Sequence, residues 1–318
     1  MAKLDIIATI NTVKATEDYI QSLIQHGATI LRLNGAHILL ENLPGAVAFL
    51  REAGKGKAAV MIDIPGSKIR TKNIFRPIAL RQGETLVLER SNFNFESFID
   101  YVEAGDALAS TDGQLTLLIQ EKTAEKMSLT AQCDGVLLDG KGVHATEKRL
   151  TGMPLFSERD KKIVEICKDT QVDYAGISFA RSPLDIHEAN AAFAESGVKP
   201  IIKIETKEAA APETLDAFLD AHELFNIDRG DLASEVGMFR FPEVFTRVQE
   251  AAIQKRKKLF VATQLFASMY ENKIPYLSEI VEFYRLANAG IQGIQLSDET
   301  AVGKYPLEVL RLIREVTR

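Results

Sequence analysis

Cysteine is nearly missing from the 318 residues: only Cys133 and Cys167 occur, far apart and without CxxC spacing, which leaves no disulfide framework and no cysteine-based structural zinc site. A reducing cytoplasm is the expected setting. No apolar run approaches the ~18 residues a membrane-spanning helix needs, and the N-terminal KLDIIATI is too short and too acidic for the core of a signal peptide. A soluble chain with no membrane partner is expected. An excess of positive charge is also lacking: the net charge is −6 and the isoelectric point near 5.6, against the clustered positive field that a nucleic-acid partner requires. Internal repeats and low-complexity tracts are absent as well. What is present is apolar bulk, 46% hydrophobic against 26% charged residues, enough to bury a large core.

Eight short apolar runs read as strands buried on both faces: LDIIATI from Leu4, ATILRLN from Ala28, AAVMIDI from Ala58, VDYAGISF from Val172, KPIIKIE from Lys199, HELFNID from His222, KLFVAT from Lys258 and IQGIQLS from Ile291. Stretches of helical period separate most of them, such as TEDYIQSLIQHG, ERDKKIVEICKDT and SEIVEFYRLANAG. Continuous apolar strands alternating with helices imply parallel pairing with both faces covered, so the expected fold is α/β, a (β/α)8 TIM barrel. Between Thr71 and about Gly152 the pattern turns to period-two alternation with turn pairs at Asp112-Gly113 and Asp139-Gly140. That predicts a small all-β lid inserted after the third strand, residues 72–152, in a barrel of residues 1–71 and 153–318. Without the insertion roughly 240 residues remain, close to the ~250 typical of such a barrel.

In a barrel of this kind the active site lies at the C-terminal ends of the strands, so polar residues there are candidates for chemistry. Those ends carry Arg32 and Asn34, Asp63 and Arg70, Ser178 and Arg181, Lys203 and Glu205, Asp228 to Asp231, Thr263 and Gln264, and Ser297 to Glu299. The stretch MIDIPGSKIR puts one acid, Asp63, and two bases, Lys68 and Arg70, where a buried strand ends. Glu205 and Asp231 are placed to converge from adjacent strands as oxygen ligands for Mg2+ or Mn2+, or else to pair with neighbouring bases. In KIETKE, Lys203 and Glu205 share one strand face, so ammonium and metal could approach a substrate from one side. Gly230 in RGDL would let backbone N–H groups approach an anion, or merely form a turn before a helix. Thr263 would pass a proton or cap the next helix.

Together these residues resemble the pyruvate kinase family. The resemblance is carried by RLNGAH, IDIPGSKIRT, STDGQLTL, SERDKKIVE, SFARS, KIET, RGDLASEVG, ATQLFASM and SDETAVGKYPLEVLRL, in order and over nearly the whole chain. It implies transfer of the phosphoryl group of phosphoenolpyruvate to ADP, giving pyruvate and ATP, with Mg2+. Carried over by position, Arg32, Lys203 and Thr263 are the catalytic side chains. Arg32, Asn34, Ser178, Gly230, Asp231 and Thr263 bind substrate, and Glu205 and Asp231 hold the metal. His37, Arg70 and Lys141 contact the nucleotide beneath the lid. Clustered positive charge, a metal and alignment are the equipment that phosphoryl transfer needs. A homo-oligomer through the barrel is compatible with the resemblance.

The departures from the family pattern carry their own expectations. The chain stops at REVTR, where the family continues into an effector-binding domain, so allosteric control by a sugar phosphate is not expected. Thr12 replaces a nucleotide-side proline, Asp228 and Asp298 replace small residues, and Leu277 replaces an arginine. Of the family's potassium ligands Asn34 and Asp63 remain, while Ala36, Ile64 and Lys68 stand where a serine, a threonine and a glutamate are usual. An ammonium can fill the electrostatic role of a bound cation. Potassium independence is therefore expected, with Lys68 supplying charge next to Asp63. Two other readings stay open: a lyase or decarboxylase acting on a 2-oxo acid or enol phosphate, for example oxaloacetate, and a non-catalytic protein that kept the fold.

Overall fold

Val, Ile, Leu and Phe fill the eight apolar runs, and such residues are stable in a strand only when both faces are covered. The computed structural model describes residues 4–110, 114–146, 150 and 152–317. In it the runs form Asp5–Thr9, Ile30–Asn34, Ala59–Ile64, Tyr174–Ile177, Lys199–Ile204, Leu224–Asp228, Lys258–Ala262 and Gly293–Leu296. These strands close into one parallel barrel, the first paired with both the second and the eighth. The predicted (β/α)8 architecture is what the chain adopts.

Helices cover the outside of the barrel, and their starts follow from local chemistry. Thr16 accepts from the Tyr19 N–H before Glu17–His26, and Ser157 and Ser182 form capping boxes with Asp160 and Asp185 before Glu158–Asp169 and Pro183–Phe193. The main core lies between this helical layer and the strands, with Leu31, Val60, Ile62, Ile202, Phe225 and Leu259 fully buried in it. Inside the barrel a small plug of Ile7, Ile30, Met61, Ile201 and Phe260 closes the interior. Above that plug the interior turns polar: Arg32, Asp63, Lys203, Asn226 and Gln295 are all buried. Polar groups enclosed this way need one another as partners. Asn226 accordingly donates to Gln295 at 2.9 Å.

Between the third and fourth barrel strands the chain builds antiparallel sheets. Five strands lie in the order Val143–Ala145, Ala107–Ser110, Leu115–Lys122, Lys126–Ala131, Thr85–Glu89, and Ile78–Leu80 pairs with Gly135–Leu137. A separate core of Phe93, Phe98, Ile99, Met127 and Leu129 lies within these elements. The turn pair Asp139-Gly140 is not the hairpin its sequence suggests. Gly140 does take the left-handed φ of +70°, but the strands before and after it belong to different sheets, and the Asp139 carboxylate accepts from the Ile74 N–H at 2.9 Å. Asp112-Gly113 lies outside the described residues. Among the described residues no helix is long and apolar enough to cross a membrane.

Candidate active site

Parallel register fixes which strand ends face one another. Asn34 is level with Asp63, Gly176 with Asp63, Lys203 with Asn226, and Asp228 with Ala262. Charged side chains from four of the eight strand ends, Arg32, Asp63, Lys203 with Glu205, and Asp228, therefore gather over the apolar plug, with Ser178 and Thr263 from two more. Lys203 is the centre. Its ammonium lies 3.0 Å from Glu205, 3.2 Å from Asp228 and 3.7 Å from Asp63, and donates to the Ser178 hydroxyl at 3.4 Å. Burial works against its charge, yet Glu205, Asp228 and Asp63 outweigh burial and lift its pKa well above the usual lysine value.

Glu205 follows the fifth strand and is fully buried. One carboxylate oxygen accepts from the Phe179 N–H at 2.8 Å, an alignment reached by turning Phe179 to a φ of +58°. The other oxygen accepts no hydrogen bond; Lys203 is near it but off the line that a good donor needs. Burial, reinforced by Asp231 and Asp228 and opposed by Lys203, pushes its carboxyl up to about 7. Glu205, Asp228 and Asp231 each bring a carboxylate oxygen into a set whose members all lie within 4.8 Å of one another. An all-oxygen, carboxylate-rich set with a donor-less buried oxygen fits a hard divalent cation.

The expected pairing of Lys68 with Asp63 is corrected by the geometry. Asp63 is held by Arg32, whose Nε donates at 2.8 Å to the Oδ2 that its Nη2 also reaches, while Arg32 Nη1 donates to Thr9 Oγ1 at 2.7 Å. Lys68 instead crosses to the helix that follows the sixth strand and donates to Asp231, with its ammonium 5.5 Å from the centre of the Phe179 ring. Asp63 lies deep between strands, where the rigid guanidinium of the adjacent strand reaches it directly. Lys68, on a loop with a long flexible stem, reaches the shallower acid.

Arg229–Val236 is a helix, so Gly230 sits in its first turn, and its N–H donates to Thr263 Oγ1 at 3.3 Å. The same hydroxyl donates to Asp228 at 2.6 Å. Thr263 itself has a φ of +70° and Gln264 one of +54°, which for a β-branched residue is costly backbone and marks a position held by its surroundings. Arg229 does part of that holding, donating twice to the Thr263 carbonyl, at 2.9 and 2.7 Å.

The remaining candidates lie at the rim. Asn34 uses its side-chain oxygen to accept from the Ala36 N–H at 3.1 Å, shaping its own loop. Arg70 donates to the Gly140 carbonyl at 3.1 Å, and Lys141 pairs its backbone with Thr71, so both stand at the junction of barrel and β elements. His37 is exposed; partial burial and the positive charges of Arg70, Arg32 and Lys68 lower its pKa, with Asp298 opposing. Three participants were not singled out from sequence. Thr9 supports Arg32, and a Cβ at Gly176 would lie 1.9 Å from Asp63 Oδ1, so that glycine makes room for the acid. The third is a buried pair, His144 with Glu235 at 2.7 Å, joining a β-element strand to the helix that carries Asp231. An isolated glycine inside a strand is the one available signal among these.

Known proteins resemble the chain along nearly its whole length. The family described as pyruvate kinase, barrel domain, matches residues 1–310. Pyruvate kinase of Borreliella burgdorferi is 27% identical over 324 residues, covering 98% of this chain and 67% of its own length. Pyruvate kinase of Thermotoga maritima is 27% identical over 333 residues, covering 100% and 71%, and that of Thermococcus litoralis 25% identical over 329 residues, covering 99% and 69%. With the closed barrel, the lysine-centred carboxylate cluster and this match along nearly its whole length, the chain belongs to the pyruvate kinase family.

Proposed function

We propose that this pyruvate kinase-like phosphotransferase moves the phosphoryl group of phosphoenolpyruvate to ADP, with Mg2+ held by Glu205 and Asp231. The observation that carries the reading is the buried Lys203 ammonium 3.0 Å from Glu205 Oε2, a buried oxygen that accepts no aligned hydrogen bond. When bound, the metal supplies positive charge to the phosphoryl and enol oxygens. In the transfer, the bond from phosphorus to the enol oxygen breaks and one to the terminal ADP oxygen forms. Lys203 neutralises charge on the transferring group and on the enolate left behind, and Arg32 and Arg70 take phosphoryl and nucleotide oxygens. Backbone N–H groups at Gly230 and Asp231 hold the substrate carboxylate, with Asn34 and Ser178 at its flank. Thr263 stands beside the carbon that gains a proton. His37 and Lys141 join Arg70 at the nucleotide, under a lid domain of residues 72–152. A coupled assay for pyruvate tests this: ADP-dependent turnover is expected, and its absence in protein that still binds metal would overturn the reading.

Potassium is not required in this proposal, because Lys68 already places a fixed ammonium on Asp231. Assays in sodium-only, potassium-only and tetramethylammonium-only buffers should agree; specific activation by potassium would sink the idea. The family setting favours a cytoplasmic enzyme. Asp228 favours a second reading, decarboxylation or lysis of a 2-oxo acid such as oxaloacetate at the same metal site, because its carboxylate already engages Thr263 and Lys203. Oxaloacetate turnover far above phosphoryl transfer would select it.

A further inference from the structure

Asp228 ends the sixth barrel strand and is 8% exposed. Its Oδ1 accepts from the Thr263 hydroxyl at 2.6 Å, and its Oδ2 lies 3.2 Å from the Lys203 ammonium. Both are side chains that the phosphotransferase reading assigns to the substrate. A charge count explains why a third acid matters here. In this cluster Arg32 holds Asp63 and Lys68 holds Asp231, which leaves one ammonium, Lys203, shared between Glu205 and Asp228. Without Asp228 the cluster would have as many cationic side chains as acids; with it, one negative charge is uncompensated in a buried place. Such an imbalance is costly unless a cation answers it or one of the acids takes up a proton, and a bound divalent cation competes with that proton. The Glu205 Oε2 oxygen points the same way: it is fully buried and accepts no aligned hydrogen bond, its one charged contact being the Lys203 ammonium it shares with Asp228.

Both Asp228 oxygens are already engaged by donors: the Thr263 hydroxyl donates to Oδ1 at 2.6 Å and the Lys203 ammonium lies 3.2 Å from Oδ2. A fixed anion within reach of Glu205 and Asp231 is suited to a cation and unsuited to a second carboxylate.

We propose that Asp228 is a third carboxylate ligand of the divalent cation, and that its charge and its hold on Thr263 weaken the site's grip on a carboxylate-bearing substrate. The proposal rests on the reading of Glu205 and Asp231 as metal ligands. It makes the chain a tighter metal binder and a weaker phosphoenolpyruvate binder than the same site with a small residue at 228.

The test is Mn2+ titration of the full chain without substrate, read by the loss of the free-ion electron paramagnetic resonance signal, for wild type, Asp228→Asn and Glu205→Gln. Asp228→Asn is expected to weaken Mn2+ binding about tenfold or more, the scale on which altered carboxylates act at metal sites. At Mn2+ saturation the same variant should bind phosphoenolpyruvate at least about threefold tighter in equilibrium dialysis, as expected when a like charge is removed. Mn2+ affinity unchanged in Asp228→Asn but lost in Glu205→Gln would overturn the role of Asp228 and leave the metal site standing. Affinity unchanged in both would overturn the metal reading itself. Weaker Mn2+ without tighter phosphoenolpyruvate would remove the second half of the proposal. Should Asp228→Asn fail to fold, wild type alone decides through the waters counted on bound Mn2+ by 17O broadening: about three agree with three carboxylates on an octahedral ion, and about four contradict them.

Discussion

Asp63 shows how much of this site depends on space as well as charge. Its Oδ2 is held by Arg32, while its Oδ1 accepts no hydrogen bond and lies where a Cβ on Gly176 would be, 1.9 Å away. Gly176→Ala is therefore expected to displace Asp63, strain the Arg32 pair and lower stability by about 3 kcal/mol, the cost of disrupting a buried ion pair from one side. Urea denaturation measures it. A variant as stable as wild type would mean that the strand shifts to accommodate the methyl group. Lys203 answers a different question. Lys203→Met removes the ammonium proposed to serve the transferring group, so pyruvate formation should fall by about a thousandfold, on the scale of losing a preorganised electrostatic group. Metal binding should persist, because the carboxylates remain. An activity that survives Lys203→Met would put the chemistry elsewhere.

At the scale of elements, the strands were legible and the partners of long side chains were not. Eight apolar runs identify a parallel barrel because such strands are stable only with both faces covered, and alternation correctly put Lys203 and Glu205 on one face. Alternation says nothing about which acid a loop lysine reaches, so the contact of Lys68 with Asp231 had no sequence signal. The same holds for His144 and Glu235, which are far apart in sequence and meet only because the strand Val143–Ala145 packs on the helix Arg229–Val236. Burial disfavours the Glu235 carboxylate, but the His144 contact outweighs burial and lowers its pKa. A depressed carboxyl contributes stability above its unfolded value, near 4.5, that is lost as pH falls through its folded value. Glu235→Gln should therefore lose less thermal stability than wild type between neutral pH and pH values below about 4.5. Parallel melting curves across that range would contradict it.

For the whole molecule, the distribution of apolar residues bears on how the proposed lid and barrel depend on each other. The barrel core and the core of the β elements are separate clusters, the first with Leu31, Ile202 and Phe225, the second with Phe93, Phe98 and Met127. The proposed metal carboxylates and Lys203 all belong to the barrel strands and the helix that follows the sixth of them, whereas Arg70 and Lys141 stand where the two sets of elements meet. A separate core is what lets a domain fold without its neighbour. Replacing residues 72–152 with a short glycine-serine linker is thus expected to leave a folded barrel that binds Mn2+ within about threefold of the intact chain, since its ligands keep their rigid supports. The contact of Lys68 with Asp231 is also retained, because both residues lie outside the replaced segment. ADP binding should be lost, with Arg70 deprived of the Gly140 carbonyl that positions it and Lys141 gone. Circular dichroism, Mn2+ titration and ADP calorimetry on the shortened chain separate the outcomes. A barrel that unfolds would show that the two cores are one cooperative unit, joined through contacts such as His144 with Glu235. A folded barrel that still binds ADP would place the nucleotide on the barrel alone, toward Arg32 and His37.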